Sequence, residues 1–369
     1  MIKKKYLIVG AGFSGAVIAE RLSKKENTEI IVLDSRDHIG GNCYTKRDSQ
    51  TGVMVHKYGP HIFNTDNKVV WDYVQQFCKI IPFVNRVKSI YRGGVYSMPI
   101  NLHTINQFYN KTLNPKEARE FIADLGDDSI YEPENFEEQA MKMLGKELYK
   151  AFFYGYTLKQ WGCEPKELPA SILKRLPVRF NYNDNYYNNH YQGIPEDGYT
   201  AIFEKMLESS NIEVLLNTKF DDSFPTEEFD HIFYTGPVDA FFDYKYGRLS
   251  YRTVLFEKHY TNGDYQGNAV INYPDEEIPY TRIHEHKHFT PWETHKETVY
   301  FKEFSKETEE NDVPYYPKRL PEDKKKLELY EAEVEKLKEI TFLGRLATYR
   351  YMDMHHVINE ALEISKKFK

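Results

Sequence analysis

Tyr6-Leu7-Ile8-Val9 runs straight into Gly10-Ala11-Gly12-Phe13-Ser14-Gly15, which reads as a buried strand, a glycine turn and the start of a helix. That succession constrains the fold more than any other stretch, because it builds an anion site. Gly10 permits the tight turn, Gly12 lets the backbone approach a pyrophosphate, and Gly15 lets the helix close onto the strand. The unbonded N–H groups and positive dipole end of a helix over residues 16–23, with Phe13 and Ser14 at its mouth, then face the phosphates. A second strand, Ile30-Ile31-Val32-Leu33, ends at Asp34 and Ser35, where a carboxylate can accept hydrogen bonds from an adenosine ribose. A lone glycine fingerprint says little; strand, turn, helix, strand and terminal acid together predict a bound dinucleotide.

The fingerprint does not separate NAD from FAD, since both present the same pyrophosphate. Two further features favour FAD. Gly40-Gly41-Asn42 follows the ribose acid and offers a second close backbone approach, which suits a long cofactor lying across the strand ends. Downstream, Ile340-Thr341-Phe342-Leu343-Gly344-Arg345 reads as another short strand. It leads, past Asp353, to a helix starting near Met354, with Val357, Ile358, Ala361, Leu362 and Ile364 at its apolar positions. A second helix N-terminus returning from that end of the chain is what a flavin ring carbonyl needs.

At 369 residues the chain predicts more than one domain. The nucleotide-binding pattern occupies residues 1–80 and resumes over 199–245 and 318–369, with a helix at 199–207, a strand at 232–234 and a charged helix at 321–339. Residues 102–178 read as helical, one helix opening at Asn114-Pro115 and another spanning 136–154. Residues 81–101, 179–198 and 246–317 are strand-rich, with strands expected at 90–98, 248–259, 269–273, 280–289 and 298–304. The expected fold class is α/β: a discontinuous Rossmann-like FAD-binding domain carrying an inserted helical domain and an antiparallel β-sheet domain.

A formal net charge of −7 argues against a general nucleic-acid or anionic-membrane role. No apolar run approaches the ~18 residues of a membrane span, so no membrane insertion is expected. The basic Met1-Ile2-Lys3-Lys4-Lys5 leads into the first strand and does not read as a signal peptide. Cys43, Cys78 and Cys163 lack metal spacing and read as reduced thiols of a cytoplasmic protein.

His284-Glu285-His286-Lys287-His288 matches the zinc-protease pattern HExxH, whose chemistry requires a helix to bring the two histidines together. Here the flanks, Pro279-Tyr280-Thr281-Arg282-Ile283 and Phe289-Thr290-Pro291, read as a strand bounded by prolines. On a strand the two rings would stand ~13 Å apart, too far to share a zinc. No metal is expected.

Several segments then fall together. Lys57-Tyr58-Gly59-Pro60-His61-Ile62-Phe63, Gly155-Tyr156-Thr157-Leu158-Lys159-Gln160-Trp161-Gly162, Arg175-Leu176-Pro177-Val178-Arg179 and Tyr191-Gln192-Gly193-Ile194-Pro195 resemble the bacterial UDP-galactopyranose mutases. So do Pro279-Tyr280-Thr281-Arg282, Pro314-Tyr315-Tyr316-Pro317 and Gly344-Arg345-Leu346-Ala347, and the resemblance spans nearly the whole chain in order. It implies an FAD enzyme, active with reduced flavin, that interconverts UDP-galactopyranose and UDP-galactofuranose with no net redox change. In that family the flavin N5 attacks the anomeric carbon, UDP departs, and the sugar recloses from a flavin N5–sugar adduct. The resemblance also implies a homodimer.

Splitting the anomeric bond develops charge on a diphosphate, which preorganised cations should meet. Arg175 and Arg345 match the family's diphosphate arginines, Arg175 lying in a segment that resembles its lid. Tyr186, Tyr316 and Tyr351 match tyrosines that hydrogen-bond the diphosphate. Phe152 and Tyr156 match the pair that stacks the uracil, although four-residue helical spacing by itself favours core packing. Asn85, Thr157 and Trp161 match the lining of the nucleotide-sugar site; His61, Ile62 and Arg282 match residues beside the flavin; and Gly344, Tyr351, Asp353 and Met354 complete the cofactor side. Where the family commonly carries a second histidine the chain reads His61-Ile62-Phe63-Asn64, so the preferred sugar is open at Asn64.

The same mechanism acting on UDP-N-acetylgalactosamine or UDP-arabinopyranose is one alternative. An amine-oxidase-like flavoprotein is another, but it has no use for diphosphate arginines. A non-catalytic nucleotide-sugar sensor would not need a flavin-edge residue such as His61.

Overall fold

The computed structural model describes residues 3–175, 177–221 and 224–368, without the side chains of residues 174 and 175. Strand Lys4–Val9 buries Leu7 and Ile8 completely and stands at the centre of a parallel sheet. Thr28–Leu33 and then Ile212–Leu215 lie on one side of it, and His231–Tyr234 and then Ile340–Phe342 on the other. Strand order therefore reverses about the first strand, which opens a crevice at the carboxyl ends of the strands. Helix Phe13–Ser23 packs over the sheet because Gly15 has no side chain, as a Cβ there would lie 1.9 Å from Gly10 O. Ile212–Leu215 is a partly exposed edge strand that was not anticipated, although Ile212 and Val214 alternate toward the core.

The second sheet has seven strands, and its long ladder pairs Tyr251–Asn262 with Glu297–Glu307 antiparallel. The expected strand over 280–289 is shorter than its apolar pattern: Arg282–Glu285 pairs with the ladder, and His286–Phe289 turns as a 3₁₀ helix. The turn buries His286 and Phe289 against the sheet, so burial rather than pairing accounts for the pattern.

In the helical region Asn114 caps Pro115–Leu125 with a complete capping box through Glu117. The helix expected over 136–154 is interrupted. Gly145 adopts φ 74° inside Phe136–Tyr149, and Lys150–Tyr154 winds as a π-helix before Gly155–Trp161 resumes α geometry. A third, small sheet places Tyr191–Pro195 between Phe63–Thr65 and Ile80–Pro82, which brings residues 61–64 beside the crevice. Among the described residues, no helix is long and apolar enough to cross a membrane.

Candidate functional site

A cavity of about 1230 Å³ occupies the crevice. Gly10, Gly12, Phe13, Ser14, Asp34, Ser35, Gly41 and Asn42 line it from the parallel sheet. His61, Ile62, Asn64, Arg345, Asp353 and Met354 reach it from elsewhere in the chain. Gly15 and Gly344 stand behind this wall: a Cβ on Gly344 would meet Ser14 Oγ at 2.3 Å. Gly12 and Gly41 face each other closely enough that a Cβ on Gly41 would come within 3.1 Å of Gly12 Cα. The twelve-residue helix Met354–Ser365, capped by Asp353, begins at the cavity.

The Asp34 carboxylate accepts the Ala11 N–H at 2.9 Å and the Arg36 N–H at 3.0 Å, which fixes the turn and leaves lone pairs for a ligand. Arg36 is a cavity residue the sequence reading missed. Its Nη2 donates to Asn42 Oδ1 at 2.8 Å, its guanidinium lies 4.5 Å from the Tyr58 ring centre, and its buried Nη1 has no partner among the described residues. A cation two places beyond the ribose acid was the available signal. An unpartnered buried guanidinium nitrogen and two opposed glycine backbones fit an anionic dinucleotide.

His61 Nδ1 lies 2.8 Å from Gly59 O, and since a carbonyl only accepts, Nδ1 carries the proton. Burial, reinforced by the charges of Arg345 and Arg282, pushes this imidazole down to about 4, so it is neutral and its Nε2 is an acceptor. The His61 backbone N–H donates to His56 Nδ1 at 3.2 Å, and the His56 backbone N–H to His286 Nδ1 at 3.4 Å.

Arg345 is held by its own surroundings: Nε donates to Met352 O at 3.1 Å, Nη1 to Tyr315 O at 3.2 Å, and Nη2 also reaches Met352 O. Its guanidinium lies 5.8 Å from the Tyr316 ring centre and 5.3 Å from that of Tyr351, and those two rings stack at 5.9 Å. Arg282 Nε donates to Glu303 Oε1 at 2.8 Å. Tyr156, Tyr186 and Tyr316 all lie within electrostatic reach of Arg282, although none of the three lines the large cavity. Glu303 was not anticipated, since nothing local marks it as the partner of Arg282.

Asn85 is buried, its carbonyl oxygen accepts the Tyr186 N–H at 2.8 Å, and its side-chain Oδ1 has no partner among the described residues. Thr157 is buried and Trp161 is partly buried against the helical core. Phe152 is enclosed by the rings of Tyr91, Tyr96 and Phe108 at 5.8, 5.1 and 5.5 Å, the core environment that its spacing alone favours. The Arg175 side chain and Leu176 lie outside the described residues.

The HExxH residues separate. His284 turns to Glu303 (Nε2–Oε2 3.4 Å), whereas Glu285 meets His288 at 3.4 Å on the other side, with Asp264 3.0 Å from His288. Lys287 Nζ sits 2.8 Å from Asp264, and the Tyr265 and Gln266 N–H groups donate to Glu285 at 2.9 and 2.8 Å. The three cysteines are free thiols.

Residues 151–351 match the sequence profile of UDP-galactopyranose mutase, and residues 8–77 that of an NAD(P)-binding Rossmann-like domain. The chain is 56% identical to a Klebsiella pneumoniae protein named "Probable UDP-galactopyranose mutase" over 368 residues, covering 100% of this chain and 95% of that one. It is 52% identical to the Escherichia coli dTDP-fucopyranose mutase, covering 99% and 98% of the two chains. A crystal structure of reduced UDP-galactopyranose mutase superposes with a TM-score of 0.77 at 15% identity, over 99% of this chain and 94% of that one, and shares the fold.

Proposed function

The chain belongs to the UDP-galactopyranose mutase family of isomerases, and from that premise we propose that it interconverts UDP-galactopyranose and UDP-galactofuranose on a reduced FAD. The observation that carries this reading is the convergence of Arg345, Tyr316 and Tyr351 in one cation–aromatic cluster, with Arg345 on the wall of the dinucleotide-sized cavity.

The cavity residues fit FAD: Gly12 and Gly41 let its pyrophosphate approach, Asp34 receives the ribose, and Arg36 offers an unused donor. Reduced, the flavin supplies a nitrogen nucleophile, N5, for the anomeric carbon. Arg345 meets the charge that develops on the departing diphosphate, because its bonds to Met352 O and Tyr315 O fix the fork and leave N–H donors over. Tyr316 and Tyr351 stack on each other beside that guanidinium and offer hydroxyls to the same oxygens. Arg282, anchored by Glu303, places a second fixed positive charge nearby, and neutral His61 presents an acceptor without adding charge. Asn85 Oδ1, an unsatisfied buried acceptor beside Tyr186, fits a nucleotide N–H. Arg175 joins Arg345 in this reading, which also takes the protein as a cytoplasmic homodimer.

A second reading within the family is a dTDP-6-deoxysugar substrate, favoured by the 52% identity to the dTDP-fucopyranose mutase and by Asn64 on the cavity wall. Protein reduced with dithionite is incubated in parallel with UDP-galactofuranose and dTDP-fucopyranose, and the products are resolved by anion exchange. Conversion of UDP-galactofuranose that vanishes with oxidised flavin supports the first reading. Turnover of the dTDP-sugar alone replaces it with the second, and turnover of neither defeats both.

A further inference from the structure

We propose that Lys159 is a positioning residue of the nucleotide-sugar site: its ammonium gathers four backbone carbonyls into a ring and so sets the helix of Tyr156 against the strand of Arg282. The inference rests on the function proposed above for the identity of the ligand.

Lys159 Nζ donates to Tyr273 O at 2.6 Å, Asp275 O at 2.7 Å, Ile278 O at 2.9 Å and Tyr280 O at 3.2 Å. These carbonyls belong to the loop between strands Val270–Asn272 and Arg282–Glu285. Two prolines, Pro274 and Pro279, remove N–H donors from that loop, and four of its carbonyls point at the ammonium, of which Asp275 O also accepts the Ile278 N–H at 3.2 Å. Such carbonyls need a donor, and an ammonium with three N–H groups and a compact charge serves several at once. Burial pushes the Lys159 amine down to about 8, with Asp275 and Glu276 opposing the shift, so at neutral pH the cage holds a cation.

Two independent contacts place the helix against the same loop and sheet. A Cβ on Gly155, the first residue of helix Gly155–Trp161, would lie 2.3 Å from Pro274 O, so helix and loop meet backbone to backbone. At the other end, Gln160 O accepts from Ser305 Oγ at 2.7 Å and from Arg252 Nε at 2.9 Å, and Lys159 O accepts from Arg252 Nη2 at 3.1 Å. A helix this short has little cooperativity of its own, so these contacts determine where it lies. Tyr156 sits one turn before Lys159, and Arg282 follows two residues after Tyr280. The cage thus fixes the separation between Tyr156 and Arg282, which lie within electrostatic reach of each other.

The test is Lys159→Ala in the FAD-loaded chain, with amide hydrogen exchange of residues 273–280 and steady-state kinetics as readouts. Exchange in the loop should accelerate, and added propylammonium should slow it again, whereas tetramethylammonium, which lacks N–H donors, should not. KM for the nucleotide sugar should rise roughly tenfold or more, while kcat per bound flavin falls by less. Unchanged loop exchange overturns the cage. An unchanged KM, with kcat falling in step with flavin content, overturns the positioning role and leaves Lys159 a matter of folding alone. Should the parent chain turn over no nucleotide sugar, the function reading fails, and loop exchange with its amine rescue still decides the cage.

Discussion

Arg282 and Glu303 are register partners on adjacent antiparallel strands, and Arg282 Nε donates to Glu303 Oε1 at 2.8 Å while Glu303 is only 1% exposed. The carboxylate also lies 3.4 Å from His284, so one buried acid holds the guanidinium that lies within electrostatic reach of Tyr156 and Tyr316. Glu303→Gln keeps the shape and removes the counter-charge. Breaking a buried pair from one side costs ~3 kcal/mol. The variant should therefore lower the urea midpoint and, at temperatures where it stays folded, reduce turnover; parental values for both would contradict the anchoring role.

Arg345 bonds two backbone carbonyls with one planar fork and lies beside a stacked pair of tyrosines, a set of contacts a lysine cannot reproduce. Arg345→Lys and Arg345→Ala should both cut turnover on the order of 10²-fold or more with FAD retained. Arg175→Ala is expected to behave alike. Loss of flavin from the purified variants would make these arginines cofactor or folding residues instead.

Burial lowers seven of the described histidines, and four of them are shifted furthest. Burial holds His56 and His284 well below the usual histidine range, His61 at about 4 and His286 at about 3. Each is neutral in the folded protein, whereas the unfolded chain protonates it below about pH 6.5. Because the unfolded state then binds more protons, stability is level above that pH and declines below it. The decline amounts to roughly 1.4 kcal/mol per pH unit for each histidine, ending near pH 4 for His61 and pH 3 for His286. Urea midpoints measured on both sides of about pH 6.5 test this, and His286→Phe should flatten the slope.

Gly41 adopts φ +54°, and its backbone packs directly against Gly12 on the cavity wall, where a Cβ would lie 3.1 Å from Gly12 Cα. Gly41→Ala presses a methyl group onto the Gly12 backbone and strains a left-handed residue, which displaces the turn that lines the cavity. We expect a folded protein whose flavin absorbance after purification is largely lost; full flavin content would mean the close contact of these glycines does not shape the cofactor site.

The cofactor half of the molecule was legible because its determinants are local. Gly10, Gly12 and Gly15 dictate a turn by sterics within six residues, and Asp34 ends the very next strand. The helix start at Asn114 and the final helix from Met354 were readable for the same reason. The HExxH letters do not fall on one helix: Arg282–Glu285 is strand and His286–Phe289 a 3₁₀ turn, which sends His284 to Glu303 and Glu285 to His288.

The substrate half was decided by pairing across long separations. Glu303 reaches Arg282 only through the register of two antiparallel strands, and Lys159 meets carbonyls more than a hundred residues downstream. Phe152 shows the limit from the other direction: a helical aromatic can face a ligand or the core, and the rings of Tyr91, Tyr96 and Phe108 enclose it in the core. The sequence by itself determined the nucleotide-binding turn, since backbone sterics and dipoles act between neighbours. Only the tertiary structure decided which charged and aromatic groups meet, because strand register and packing, rather than spacing along the chain, bring them together.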